Sequence, residues 1–543
     1  MARDGRDAAM TADVLVVGAG PTGLALALEA HDHGARVRIV ERRPDPFRPS
    51  RALILHPRTL EALRPLGVTH AVLERSDTAP AAVLRLGSHA VETRLAGFAL
   101  PETAFPHLSL VRQTDVEDVL TRALAERGVR VERGTELIAA RDGGRNASAV
   151  LRSPDGTEEI DCLFVAGCDG PASTVRACAG IGWQSRPYAV EVILADLDLA
   201  SASGLPGPSS AQVFAGRDGL VFLFPLGEQA FWRLLATRAA GGGAGRDFGQ
   251  PGPAVPQAEL QRLLNDAGTR ARIEHLAWSA RVPLRCGLAR RFRRGRLFLA
   301  GDAAHNYSPA TGQGMNAGIQ DAVNLGWKLA FAAGRARGGF PAGSGDDVLL
   351  DSYEQERRPA AHRRLLLTHT AFWAEASTGR IPSWLRGVAA PHAAPLVPAL
   401  LERRRLVAEA IRVVSQLRVN YRHSPLSVQG TPPLRGAPRP GDRLPDATVG
   451  VGGAPQRLHR LLAGPGVHLL VQRDADPPPR AATGARVTVL RLANSPGRGL
   501  VAVRPDGHVG FQCGAADPGG LLRWLTLVGA ARCTPRPDVD ADH

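Results

Sequence analysis

The run DVLVV at 13–17 is short, apolar and followed by glycine, which predicts a buried strand. GLALALEAHDHG then repeats apolar residues at helical spacing and stops at Gly34, a residue suited to the turn past a helix end. ARVRIVE predicts the next strand and completes a βαβ unit, which implies a parallel sheet with a right-handed crossover. A helix around 114–127 and the strand VRVERG follow, and EEIDCLFVAGCDG predicts a strand that ends at Asp169. From about 181 to 284 the pattern changes to alternation, as in VEVILADLDL, AQVFAG, GLVFLFPL and AFWRLLAT, with Gly/Pro-rich stretches between. GRLFLAGD returns to a buried strand and helices continue to about 420, with residues 301–330 ending as a long amphipathic helix. GTPPLRGAPRPGDRLP (430–445) reads as a linker, and beyond it VHLLVQR, ARVTVLRL and GLVAVRPDGHVGFQ alternate with helical QRLHRLLA and GGLLRWLTLV.

This patterning predicts an α/β chain in four stretches. Residues 1–180 and 285–420 form two parts of one α/β domain, 181–284 a middle β-sheet domain inserted into it, and 430–543 a small carboxyl-terminal α/β domain. A length of 543 residues suffices for two or three cores. No apolar run approaches the roughly 20 residues of a membrane helix. Residues 1–12 hold no hydrophobic segment, so a cytoplasmic protein without membrane contact is expected. The net charge of +14 could suit nucleic acid, but arginine and acid are interspersed and Lys328 is the only lysine. That bias reads as compositional, and no nucleic-acid partner is expected. Cys162, Cys168, Cys178, Cys286, Cys513 and Cys533 form no CxxC pair and no metal spacing, and His31 and His33 lack a third ligand. Reduced thiols and no metal site are expected.

VVGAGPTG places Gly18, Gly20 and Gly23 in GxGxxG spacing between a strand and a helix. Gly18 permits the tight turn, Gly20 lets a pyrophosphate approach the backbone, and Gly23 lets helix and strand pack closely. Glu41 ends the second strand, 18 residues after Gly23, where a carboxylate grips a ribose diol. Only one such fingerprint is present, so one tightly held dinucleotide is expected, with any second nucleotide visiting a shared surface. The strand RLFLA delivers Asp302 at its carboxyl end, where open α/β sheets bind ligands. There it can accept hydrogen bonds from ligand hydroxyls. Pro309 fixes a bend, and Gly312 and Gly314 clear room for a flat ring. The amides of Gly314, Met315 and Asn316, at the start of the next helix, suit negative charge on that ring.

Three stretches together resemble the three motifs of the class A flavoprotein aromatic hydroxylases, the para-hydroxybenzoate hydroxylase-like monooxygenases. They are VGAGPTGLALALEAHDHGARVRIVERR, AGCDGPASTVR and GRLFLAGDAAHNYSPATGQGMNAGIQDAVNLGWKLA. The tail opening on GAPRPGDRLPDATV resembles the thioredoxin-like carboxyl domain of the phenol and aromatic polyketide hydroxylase branch. The resemblance implies an FAD-binding Rossmann-like domain of glutathione-reductase type, an inserted β-sheet substrate domain, and a thioredoxin-like domain. Without CxxC, that last domain would have no thiol redox role.

By the same resemblance, Gly18, Gly20, Gly23, Glu41 and Arg42 hold the ADP half of FAD, and Arg51 and Gln113 contact its pyrophosphate and ribityl regions. Asp169 opens the DG motif linked to FAD and to NADPH or NADH, and also suits a cap on the helix after it. Asp302 binds the ribityl chain, and Pro309 through Asn316 lies beside the isoalloxazine. His305 reads as orienting this loop, and no residue is assigned as catalytic base. The substrate wall is expected from Phe222, Phe224, Pro225 and Trp232, beside Phe231, although each also suits a core position. Arg285 sits where relatives place a basic residue, but PLRCGLA departs from their spacing.

The implied reaction consumes NADPH or NADH and O2 and passes through a flavin C4a-hydroperoxide. It hydroxylates a bulky polycyclic aromatic such as an aromatic polyketide, in antibiotic or secondary-metabolite biosynthesis, by a monomer or homodimer. Baeyer–Villiger insertion, ring opening and antibiotic-inactivating hydroxylation share the scaffold, and a flavin-fold protein that sequesters an intermediate is the non-enzymatic alternative. None of the seven tryptophans falls in the WxWxIP signature of flavin halogenases.

Overall fold

The computed structural model describes residues 12–46, 54–87, 89–200, 210–216, 219–226, 231–239, 253–307, 312–338, 344–376, 381, 384–436, 438–451, 454–476, 478 and 484–531. The apolar run at the start forms the strand Ala12–Val17, every residue of it buried, and the helix Pro21–Asp32 follows directly with proline in its first turn. Pro lacks an N–H that would be orphaned there anyway, and its fixed φ suits the helix. Val37–Glu41 then returns parallel to the first strand.

Strands Leu297–Leu299, Gly156–Gly167, Ala12–Val17, Val37–Glu41 and Val131–Arg133 lie side by side and parallel, with Arg293–Arg294 antiparallel at one edge. The hairpin of Glu136–Asp142 and Ala147–Ser153 pairs with Gly156–Gly167. The register is what positions the site. Val17 pairs with both Gly167 and Val40, and the Ala300 amide donates to the Gly167 carbonyl at 2.9 Å. Gly18, Glu41, Asp169 and the 301–302 turn therefore emerge together at the carboxyl edge of the sheet.

A second eight-stranded sheet runs in the order 305–306, 273–289, 183–199, 232–239, 219–225, 210–216, 81–86 and 89–94. The hairpin at 81–94, outside the stretch whose alternation announced this sheet, joins it through a parallel pairing with 210–216. One face buries Phe214, Val221, Leu223, Trp232 and Leu234 against the helix Gln257–Asp266. At the other end, Leu288 pairs with His305 and Gly287 with Asn306, so this sheet runs straight into the loop that follows Asp302.

The helix Gln313–Arg337 differs from the amphipathic helix expected of it: nearly every residue from Gln313 to Ala333 is buried. A helix enclosed on all sides belongs to an interior. Gly318 and Gly326 lie so close to helix 21–32 that a Cβ would fall 2.1 Å from Thr22 Oγ1 and 2.7 Å from Glu29 Cβ. The opposite side is covered by the helix Ser344–Ala376 and by the carboxyl-terminal sheet, ordered 428–429, 509–513, 500–503, 467–472 and 487–492. Trp327 and Phe331 share one continuous core with Val14, Leu469, Phe511 and Trp524, so the carboxyl-terminal sheet is packed into the same core as the first.

Asn324 and Lys328, on the covered face, find partners from distant parts of the chain. Glu356 accepts from Lys328 Nζ (2.8 Å), Arg504 (2.6 and 2.7 Å), Asn324 (2.7 Å) and Ser424 (2.6 Å). Arg504 also donates to both oxygens of Asp506, whose carbonyl accepts from Arg58 at 2.6 Å. Burial alone would raise the Glu356 carboxyl, but Arg504 and Lys328 overcome it and hold it low, while burial holds the Lys328 amine down to about 8. Among the described residues no helix is long and apolar enough to cross a membrane, and no group of three or more His, Cys, Asp or Glu could hold a metal ion.

Candidate functional site

Gly18 has a φ of +101°, in the region that favours glycine, and a Cβ there would lie 2.4 Å from the Cys168 carbonyl. At Gly23 a Cβ would fall 1.9 Å from the Gly18 carbonyl, so strand, turn and helix can close only without side chains. Gly20 is the helix N-cap, and the space where its Cβ would go is open to 4 Å. That open side, next to helix N-terminal amides, is where a pyrophosphate fits. Glu41 accepts from the Ala19 amide (2.9 Å) and the Arg43 amide (3.1 Å), which fixes its carboxylate beside the turn. Arg42 is exposed next to it. Gln113 opens the helix Gln113–Glu126 and donates to Glu117 at 2.8 Å. Burial raises the Glu117 carboxyl to about 7, against the Gln113 hydrogen bond that lowers it.

Asp169 does cap the helix Thr174–Cys178: its Oδ2 accepts from the Val175 amide at 3.1 Å. Its Oδ1 is buried without a partner among the described residues, and burial raises the carboxyl. An unsatisfied buried acceptor at the carboxyl edge of the sheet fits a ligand hydroxyl.

Gly301, at φ +59°, turns the chain out of strand 297–299, and Asp302 stands exposed on that turn. At the far end of the loop Gly312 is left-handed (φ +62°) and N-caps helix 313–337, and the Cβ position of Gly314 is open to 4 Å. The two glycines thus leave bare backbone at the amide end of a long helix, the environment a flat ring carrying negative charge requires. Met315 is buried. The Asn316 side chain is committed to the protein: Oδ1 accepts from His56 N (2.9 Å) and Thr59 Oγ1 (2.6 Å), and Nδ2 donates to the Ile54 and Gly312 carbonyls (both 2.8 Å). Its side chain is therefore not available to a ligand. Arg51 and Pro309 lie outside the described residues, as does the side chain of Arg285.

His305 is buried, with Nε2 2.5 Å from Asp321 Oδ2 and its ring tilted over Tyr307 at 4.9 Å. Asp321 Oδ2 also accepts from the Gly301 amide (3.1 Å), and Oδ1 accepts from Arg357 Nε (2.6 Å). Burial opposes the Asp321 charge, but His305 and Arg357 hold its carboxyl far below the usual range. No motif in the sequence singles out Asp321. Its spacing from Asp302 carries no motif, and Arg357 comes from another helix.

In the middle sheet Phe222 and Phe224 are half-buried and stacked, with centroids 5.9 Å apart and planes 3° apart. They alternate with Val221 and Leu223, so they face away from the core beneath helix 257–266. Trp232 lies on the core side with Phe231 against it, and Pro225 pairs with Trp232 in register. The expected wall therefore divides between two faces, with Phe222 and Phe224 on the one not filled by that core.

A family profile described as FAD binding domain matches residues 11–367. The chain is 32% identical over 533 residues to the uncharacterized aromatic compound monooxygenase YhjG of Bacillus subtilis (strain 168), covering 95% of this chain and 99% of that protein. It is 33% identical over 423 residues to 6-methylpretetramide 4-monooxygenase of Streptomyces rimosus, covering 76% and 71%. The solved structure of OxyS anhydrotetracycline hydroxylase from Streptomyces rimosus matches with a TM-score of 0.75 and 28% identity, over 96% of this chain and 100% of that one. A profile that spans the glycine turn and the Asp302 loop alike, joined to likeness over nearly the whole chain, means that this protein belongs to the FAD-binding-domain family and is a class A flavoprotein monooxygenase.

Proposed function

We propose that the chain hydroxylates a bulky polycyclic aromatic of the aromatic-polyketide class, at the expense of NADPH or NADH, in antibiotic or secondary-metabolite biosynthesis. The observation that carries this reading is the hydrogen-bonded continuity between the Asp302 loop and the middle sheet, at Leu288–His305 and Gly287–Asn306. Loop and sheet are one surface, and the sheet adds an aromatic pair at Phe222 and Phe224. The substrates named for 6-methylpretetramide 4-monooxygenase and anhydrotetracycline hydroxylase, both fused-ring compounds, support the same class.

Bound FAD supplies hydride acceptance from the nicotinamide and activation of O2, chemistry that belongs to the cofactor. The chain supplies placement. Gly18, Gly20, Gly23 and Glu41 hold the ADP half, and Asp302 accepts from the ribityl hydroxyls. The amides of Gly314, Met315 and Asn316, at the positive end of helix 313–337, favour negative charge at the ring. Phe222 and Phe224 offer a flat apolar face to a fused-ring substrate and displace water from beside the ring. The purified protein should be yellow, and polycyclic phenols should stimulate NADPH or NADH oxidation. Product NMR should show a new ring hydroxyl, whereas a lactone would assign Baeyer–Villiger chemistry to the same site. A colourless protein with no stimulated oxidation refutes the proposal.

A further inference from the structure

Gln416 is the one non-glycine residue with positive φ among the described residues, at +65°, and it is buried. A left-handed glutamine costs free energy and persists only where its surroundings over-determine it. Here the side chain explains the backbone. Its Nε2 donates to Gln313 Oε1 at 3.2 Å, and its Oε1 accepts from Arg364, whose guanidinium lies 5.7 Å over the Tyr307 ring. Gln313 Nε2 in turn donates to the Val414 carbonyl at 2.7 Å. Residues 414–416 thus grip the first residue of helix 313–337 and, through Arg364, the ring of Tyr307.

Five residues on, Tyr421 reaches the other end of the same loop. Its hydroxyl accepts from Arg357 Nη1 (2.9 Å), Arg357 holds Asp321, and Asp321 holds the Gly301 amide and His305. The carboxyl-terminal part of the chain sets Tyr421 in turn. The His508 ring lies tilted over the Tyr421 ring at 4.2 Å, the Arg504 guanidinium lies 5.5 Å over it, and the Tyr421 amide donates to the Gly441 carbonyl at 2.7 Å.

We propose that residues 414–421 form a clamp that fixes both ends of the loop carrying Asp302 and Gly314, with Gln416 and Tyr421 as positioning residues for FAD and the carboxyl-terminal domain as their support. The proposal rests on the reading that this loop lies against the flavin. It assigns the carboxyl-terminal domain a supporting task for the cofactor site, passed to the Gly301 end of the loop through Tyr421, Arg357 and Asp321.

The test uses the full-length holoprotein and measures FAD dissociation by flavin fluorescence, the visible circular dichroism of bound flavin, and Tm. Gln416→Gly removes the side chain but suits the left-handed backbone, so Tm should fall no further than in Leu525→Ala while FAD affinity falls about tenfold, within the usual span of coupled sites. Tyr421→Phe keeps the ring and removes one hydrogen bond, and should weaken FAD about threefold. Both should alter the flavin dichroism. Leu525→Ala, in the same core but off the clamp, should lower Tm and leave FAD affinity and dichroism unchanged. The clamp is overturned if Gln416→Gly and Tyr421→Phe bind FAD like the parent, or if Leu525→Ala weakens FAD as much as they do. Asp302→Ala separates the two levels. If it weakens FAD and the clamp variants do not, only the clamp is wrong. If it too has no effect, the loop is not at the flavin and both readings fall.

Discussion

Acid should loosen the contact between the first helix and the segment at Gly466, through His33. This histidine is buried just past helix 21–32, with Nδ1 2.8 Å from the Glu29 carbonyl and Nε2 accepting from the Gly466 amide at 3.0 Å. An acceptor at Nε2 requires a neutral ring with its proton on Nδ1. Burial holds the imidazole down to about 4, from an ordinary 6.5. The unfolded chain therefore binds a proton between those values that the folded chain refuses, and stability falls as pH falls through that window. At pH 5 the loss relative to pH 8 is about 2 kcal/mol, and below pH 4 it reaches about 3 kcal/mol. Charged and titratable neighbours are Glu29, Asp32, Arg486 and His468. His468 is itself held to about 4 by burial and acts in the same direction, whereas Glu29, raised by burial, acts in the opposite one. His33→Gln keeps an acceptor near Nε2 without the titration and leaves those neighbours in place. Urea unfolding of parent and variant at pH 8 and pH 5 isolates the histidine: the variant should lose about 2 kcal/mol less on acidification. Equal acid losses in the two proteins would refute the neutral, acceptor role of His33.

Two substitutions test other parts of the structure. Gly23→Ala puts a Cβ 1.9 Å from the Gly18 carbonyl and should yield protein purified without yellow colour, whereas Gly34→Ala, left-handed (φ +90°) but with open space, should cost about 1 kcal/mol of stability and retain flavin. Lys328→Met leaves Glu356 and Asp506 facing Arg504 with one cation fewer. Because Arg504, Asn324 and Ser424 still donate to Glu356, the loss in urea unfolding should sit near the low end for a broken buried pair, about 3 kcal/mol, and a loss below about 1 kcal/mol would contradict the assigned network.

The parts legible in the sequence are those in which a local pattern dictates a local shape. The strand–glycine–helix run at 12–32, the acid at the end of the next strand and the aspartate after 297–299 each combine a backbone requirement with a fixed spacing, and the register of the first sheet brings them to one edge. Residues whose meaning depends on a distant partner were not legible. Asn316, Asn324 and Lys328 look like a helix's wet face, because a polar residue in a helical repeat reads as exposed until its cover is known. Their partners come from residues 54–59, 356 and 506. Trp232 and Phe224 carry the same alternation signal, and only the helix packed on one face separates core from wall. Gln416 carried no signal, since a left-handed glutamine has no sequence signature.

The burial of Lys328 has a practical meaning for anyone handling the protein. It is the only lysine in the chain, and none of its surface reaches solvent. The folded protein therefore offers no side-chain amine to amine-reactive ester dyes, and its positive exterior is built from guanidinium groups that those esters leave untouched. A label that arrives at Lys328, told apart from one on the α-amine by peptide mapping, reports that the space between helices 313–337 and 344–376 and the carboxyl-terminal sheet has opened.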